Sequence, residues 1–307
     1  MKTYIDCIPC FVRQALDTVR HATSNELLHE NVLRRVLQEA SMIQLKEPPP
    51  VMGSRIYALI SELTDNEDPY RSLKDNSNKR ALQLYPELKE KVKNSTDPLE
   101  TALRLALAGN VIDLGVKGDV NDYDINQTLE DVMLAPLPFG AVDDFREAAH
   151  QAQLILYIGD NAGEIVFDRI LIEQLPKEKI TFVVRGQPVI NDVTIVDAHT
   201  SGMANLVEVV DNGSGAPGTL LNDCSASFQR RFKEADLIIA KGQGNYESLS
   251  GSSANITFLL MAKCSVIARD IGCQVGAFII KNSFSKNPGD QGTEKIQETS
   301  LHTESEL

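Results

Sequence analysis

The stretch Leu154-Ile155-Leu156-Tyr157-Ile158 runs directly into Gly159-Asp160-Asn161-Ala162-Gly163-Glu164. A short apolar run without polar alternation suits a strand buried on both faces of a parallel sheet. The polar, glycine-containing segment behind it suits a turn from that strand's carboxyl end into a helix. The same pattern recurs in Ile180-Thr181-Phe182-Val183-Val184, Leu206-Val207-Glu208-Val209-Val210, Leu237-Ile238-Ile239-Ala240, Thr257-Phe258-Leu259-Leu260 and Ala277-Phe278-Ile279-Ile280. Amphipathic stretches separate these runs at a spacing suited to βαβ units. Residues 151–282 therefore read as an α/β domain, with helices covering both sides of a mostly parallel sheet.

Upstream, residues 1–150 read as mostly helical. Apolar residues recur at helical spacing from Cys10 to about Leu45, as in Phe11, Ala15 and Leu16. Pro48-Pro49-Pro50 is expected to break that region. The helical pattern resumes at Ile56-Tyr57-Ala58-Leu59-Ile60 and Ala81-Leu82-Gln83-Leu84-Tyr85, and again from Pro98 through Ala108, before the segment Gly109 to Gly115. Residues 283–307 are polar with no periodic apolar face and are expected to form a disordered tail.

The 307 residues are 42% apolar, and no apolar run approaches the roughly 18 residues that span a bilayer. The N-terminus lacks the apolar core and cleavage site of a secretory signal, so the expectation is a cytoplasmic protein with no membrane partner. A net charge of −13 repels phosphate backbones and gives no footprint for nucleic acid. The same charge repels a phosphorylated metabolite unless a locally positive pocket or a cation receives it. Of the five cysteines, only Cys7 and Cys10 lie close together. In a reducing compartment such a pair fits half of a structural zinc site, a redox couple, or two buried small residues.

Several strands end in polar loops, and in open α/β sheets ligands bind outside that edge. Asp160 and Asn161 combine a carboxylate with an amide oxygen, a donor pair suited to a hard divalent cation such as Mg²⁺ or Mn²⁺. Both residue types are also common helix N-caps. Asp192 lies just beyond the next strand, in Arg185-Gly186-Gln187-Pro188-Val189-Ile190-Asn191-Asp192, where it fits either a third oxygen ligand or another cap. Free amides at the helix start near Gly163 favour an anion. Arg185 and Lys241 follow strands and fit either phosphate neutralisation or ordinary surface charge. Glu164 and Asp168, four apart on one helix, offer a carboxylate for proton transfer or two solvated side chains. Lys241-Gly242-Gln243-Gly244-Asn245 lacks the third glycine of a dinucleotide fingerprint and the ending of a P-loop. The five histidines, His302 among them, form no ligand-like cluster.

These residues carry a resemblance. Cys7-Ile8-Pro9-Cys10 with Arg13-Gln14-Ala15, Asp68-Pro69-Tyr70 with Lys74 and Asn78, and Gly109-Asn110 with Ile112-Asp113 match one family pattern. So do Gly159 to Glu164, Arg185-Gly186 with Pro188 and Asn191-Asp192, and Lys241 to Glu247. Across nearly its whole length the chain resembles the metal-dependent damage-control phosphatases, formerly grouped as a domain of unknown function. Its N-terminal C-x-x-C is similar to that of a branch found mainly in archaea and some bacteria. The resemblance implies a Rossmann-like three-layer α/β/α domain carrying an N-terminal helical region. It implies one divalent ion, Mg, Mn, Co or Ni, held at Asp160, Asn161 and Asp192, with Asn110, Lys241 and Asn245 approaching the phosphate of a small phosphorylated metabolite.

The expected activity is phosphate monoester hydrolysis, with Glu164 and Lys241 as catalytic residues, Arg185 also on the substrate, and Cys7 and Cys10 as a second, structural metal site. Two other readings are a methyltransferase using a sulfonium cofactor and a non-enzymatic metal-binding module organised by Cys7 and Cys10. The oligomeric state is not legible.

Overall fold

The computed structural model describes residues 1–110 and 122–283. The segment from Val111 to Gly115, including Ile112 and Asp113, and the expected tail beyond Ser283, including His302, lie outside the described residues.

The chain opens with α1 (Cys7–Ala22), α2 (Glu26–Ser41) and α3 (Pro49–Thr64). These helices bury Phe11, Ala15, Val19, Val32, Val36, Met52, Ile56 and Ile60 in a core of their own. The expected single helical stretch is divided at Asn25, whose side chain accepts the Leu27 amide at 3.0 Å and so caps α2. The proline run starts a helix as well as interrupting one. Pro49 sits in the first turn of α3, where a missing N–H has no intrahelical partner to lose.

Four more helices follow, α4 (Arg71–Lys93), α5 (Pro98–Gly109), α6 (Asp122–Leu134) and α7 (Ala141–Gln151). Asp97 accepts the Glu100 amide at 3.0 Å and Pro98 opens the first turn, which fixes the start of α5 and hence the place where it delivers Asn110. The remaining chain contains strands β1 (Ile155–Ile158), β2 (Ile180–Val184), β3 (Glu208–Asp211), β4 (Leu237–Lys241), β5 (Ile256–Met261) and β6 (Phe278–Asn282). Between them run α8 (Glu164–Ile172), α9 (Ile195–Thr200), α10 (Ala226–Glu234), α11 (Gly242–Leu249) and α12 (Ser265–Ile271).

The sheet order is β3-β2-β1-β4-β5-β6. All pairs are parallel except β5 with β6, which is antiparallel. Side chains alternate between two buried faces, as the period of two requires. Ile155, Tyr157, Phe182, Leu237 and Ile239 share one hydrophobic cluster with residues of α5 and α8. Leu156, Ile158, Val183, Ile238 and Ala240 share the other with residues of α10, α11 and α12. Thus α5, upstream of residue 150, packs as part of a layer of the sandwich, while α1 to α3 stand on a separate core. Burying a side chain such as Phe167 or Ile165 at this interface is worth about 2 to 3 kcal/mol.

Chain direction reverses its walk across the sheet between β1 and β4. Ile158 is level with both Val183 of β2 and Ala240 of β4, so the residues after these three strands emerge at one edge. That edge is the switch point where α/β sheets bind ligands. Among the described residues, no helix is long and apolar enough to cross a membrane.

Candidate active site

The residues emerging at the switch point interlock. Asp160 and Asn161 follow β1, Asp192 lies in the loop after β2, and Asn161 and Asp192 pair as an isolated antiparallel bridge. Backbone bonds from Val193 N–H to the Asp160 carbonyl, 2.8 Å, and from Ala162 N–H to the Asn191 carbonyl, 2.9 Å, hold the two loops together. Asp192 is reached through Ile190, a β-branched residue with φ of 46°. Such a conformation costs about 1 to 3 kcal/mol and needs packing to hold it. Val189 and Ile190 supply that packing against Tyr57 and Tyr70.

Asp160 sits in a tight cradle. Gly242, at φ of 76°, opens α11 directly beneath it, and a Cβ there would stand 1.8 Å from Asp160 Oδ2. Asn110 and Asn161 both donate their side-chain amides to that oxygen, at 3.1 and 2.8 Å. The same two amides reach Glu164 Oε2, each at 3.1 Å. The Met261 amide donates to Asn110 Oδ1 at 3.3 Å, which orients the Asn110 side chain.

Glu164 and Asp168 are both buried rather than solvated, and Lys241 lies between them. Its ammonium donates to Glu164 Oε1 at 2.7 Å, to Asp168 and to the Ala106 carbonyl at 3.0 Å. Its three donors are thereby matched, the last by a carbonyl in the final turn of α5. Tyr157 Oη donates to Asp168 at 2.8 Å. Arg185 is likewise buried, with Nε on Asp192 Oδ2 at 2.7 Å and Nη2 on Asn245 Oδ1 at 3.3 Å. Asn245 donates to the carbonyls of Gly159, 3.1 Å, and Lys241, 2.7 Å, tying β1 to β4. The segment from Gly242 to Asn245, expected as a loop, is the first turn of α11.

The electrostatics are unbalanced. Buried charged side chains among the described residues are Asp160, Glu164, Asp168, Asp192 and Asp197 against Lys74, Arg185 and Lys241, a surplus of two negative charges. Burial, then Glu164 and Asp192, push Asp160 well above the ordinary carboxylate range. Burial also raises Asp192, partly offset by Arg185. Burial opposes ionisation of Glu164, but Lys241, with Lys263 and the Asn110 amide, outweighs it and holds this carboxylate below its usual value. Lys241 is kept charged in turn, because Asp168 and Glu164 overcome its desolvation.

This donor set fits a divalent cation in charge and type. Among the described residues, no group of three or more His, Cys, Asp and Glu side chains is placed to hold a metal ion. Asp160, Asn161 and Asp192 offer two carboxylates and a neutral amide oxygen, not a dense acidic cage. The Asn161 amide nitrogen faces Asp160; rotating that amide by half a turn presents its oxygen instead, as a cation requires. Cys7 and Cys10 line a cleft of about 440 Å³ in which Cys264 also stands, and all three thiols are free.

The roles of two residues escaped the sequence reading. Lys263, just past β5, is exposed, and its charge acts on both Asp160 and Glu164. It obeys the same strand-end rule as Lys241, but no glycine-rich loop marks it. The second is Asn78. Its Oδ1 accepts the Gly163 amide at 2.7 Å, so the helix-start N–H expected to face an anion is already taken within the protein.

Residues 3–279 match the family model of the damage-control phosphatase ARMT1-like domain. A damage-control phosphatase of Archaeoglobus fulgidus is 38% identical, over 75% of this chain and 81% of its own. A damage-control phosphatase of Pyrococcus horikoshii is 33% identical, over 92% of this chain and 99% of its own. The crystal structure of a DUF89 family protein from Pyrococcus horikoshii matches with a TM-score of 0.85 at 30% identity, covering 92% of this chain and 99% of that one.

Proposed function

Because this chain belongs to the damage-control phosphatase ARMT1-like family, we propose that it hydrolyses phosphate monoesters of small metabolites using one divalent cation held by Asp160, Asn161 and Asp192. A phosphatase role and a small phosphorylated substrate accord with the family; the cation and its ligands are the proposal. The observation that carries it is that Asp160, at the switch point, is buried with the charges of Glu164 and Asp192 acting on it, within a set of buried side chains that has a formal surplus of two negative charges. Mg²⁺, Mn²⁺, Co²⁺ or Ni²⁺ bound there would neutralise that surplus and polarise the phosphoryl group.

The protein's own residues divide the remaining work. Glu164 gives Oε1 to Lys241 and keeps Oε2 toward Asn110 and Asn161, so Oε2 is the oxygen placed to accept a proton from attacking water. Lys241 keeps Glu164 ionised and does not reach out to phosphate. Arg185 fixes Asp192 from behind, and Asn245 fixes Arg185. Lys263, exposed at the rim, is a cation placed to meet a phosphate oxygen, and stabilising such charge is most of what phosphoryl transfer asks.

The test is phosphate release from sugar phosphates, nucleotides and other small phosphomonoesters with each of the four cations added. Release that a chelator abolishes and metal restores is expected. Equal release with and without chelator would reject the cation; no release with tight binding of a sulfonium nucleoside would point to methyl transfer.

A further inference from the structure

Asn78 and Lys74 stand one turn apart on α4, both fully buried. The Asn78 amide is used at both ends. Its oxygen accepts the Gly163 N–H at 2.7 Å, two residues after Asn161. Its nitrogen donates to Asp197 Oδ1 at 2.9 Å. Asp197 Oδ2 in turn accepts from the Thr194 backbone N–H at 2.9 Å and from Thr194 Oγ1 at 2.6 Å, two residues after Asp192. One side chain of α4 thus bridges the loop carrying Asp160 and Asn161 to the loop carrying Asp192.

We propose that Asn78 is a positioning residue that sets the spacing of the two cation-ligand loops. The inference rests on the cation site proposed above. An amide serves here because it carries an acceptor for Gly163 and a donor for Asp197 on two separate atoms of one short side chain. Aspartate would set a carboxylate against Asp197, and leucine would leave Gly163 N–H and an Asp197 oxygen buried without partners. Lys74 pairs with Asp68 at 2.7 Å, and its ammonium also stands 4.0 Å from Asp197 Oδ2. The loop reaching Asp192 passes through the strained Ile190, so its position is not determined locally and needs a brace.

A purely structural tie would lower stability without changing affinity for the ion. The experiment is therefore direct titration of Mn²⁺ into wild type, Asn78→Ala, Thr194→Val and Leu88→Ala, well below each melting temperature. Leu88 lies on the same helix and is buried in the hydrophobic core away from the bridge. Residues supporting metal ligands typically contribute about 10- to 100-fold to metal affinity. We expect Asn78→Ala to weaken Mn²⁺ binding by about that factor, Thr194→Val to weaken it less, and Leu88→Ala to melt earlier with Mn²⁺ affinity unchanged. If Asn78→Ala does not fold, Thr194→Val carries the test alone. Wild-type affinity in a folded Asn78→Ala, or in Thr194→Val where that variant stands alone, overturns the positioning role. Equal weakening in Leu88→Ala overturns it too. Absence of Mn²⁺ binding in wild type overturns the cation site itself, a different result.

Discussion

The ammonium of Lys241 lies 2.7 Å from Glu164 Oε1, with both side chains fully inside the protein. Their contact joins the end of β4 to the start of α8, 77 residues apart in sequence. It leaves Oε2 as the Glu164 oxygen turned toward Asn110 and Asn161, which both donate to it.

Replacing Lys241 by methionine leaves Glu164 and Asp168 buried without their cation. Removing one partner of a buried pair costs about 3 to 5 kcal/mol. Urea denaturation of Lys241→Met is expected to show a loss of that order. Wild-type stability would mean that water or another group already compensates these carboxylates.

Gly242→Ala places a methyl group where Asp160 Oδ2 now lies, at a φ of 76° that disfavours any side chain. The variant is expected to lose activity and cation affinity together, because Asp160 must move. Full activity would show that Asp160 is not held where the cradle puts it.

Lys263→Ala removes an exposed side chain, so its melting temperature should stay within about 0.5 kcal/mol equivalent of wild type. Its KM for a phosphomonoester should rise about tenfold, with a smaller change in kcat, as expected for a charge-assisted contact worth about 1.5 kcal/mol or more. An unchanged KM would remove Lys263 from the phosphate's surroundings.

Glu247, lining the cleft with Cys7, Cys10 and Cys264, is pushed by burial up to about 7 from an ordinary 4.5. A carboxyl whose folded pKa is raised binds its proton more tightly in the folded state. Its contribution to stability is complete below about 4.5 and is lost as pH rises through about 7. Glu247→Gln should flatten the stability profile across that window. A variant whose profile parallels wild type would show that Glu247 titrates normally.

The parallel strands and their shared edge were legible because apolar runs buried on both faces have no other economical reading. Asp160, Asn161 and Asp192 followed from that edge, and the structure brings Asn161 and Asp192 into a common bridge. Other features depend on contacts between distant segments. The antiparallel sense of β6 leaves no mark in Phe278–Asn282. Lys241 looks like a strand-end cation until α5 supplies the Ala106 carbonyl from 135 residues away. Asn78 was visible as a motif residue, but its role needs Asp197, 119 residues downstream.

The central claim is a catalytic divalent cation at Asp160. The most direct measurement pairs Mn²⁺ binding with Mn²⁺-dependent phosphate release in wild type and Asp160→Asn, a near-isosteric change that removes one charge. The account predicts one bound ion per wild-type chain, and in the variant a loss of affinity and turnover beyond the about 10- to 100-fold expected for a supporting residue. An Asp160→Asn protein that binds Mn²⁺ and turns over like wild type would contradict it.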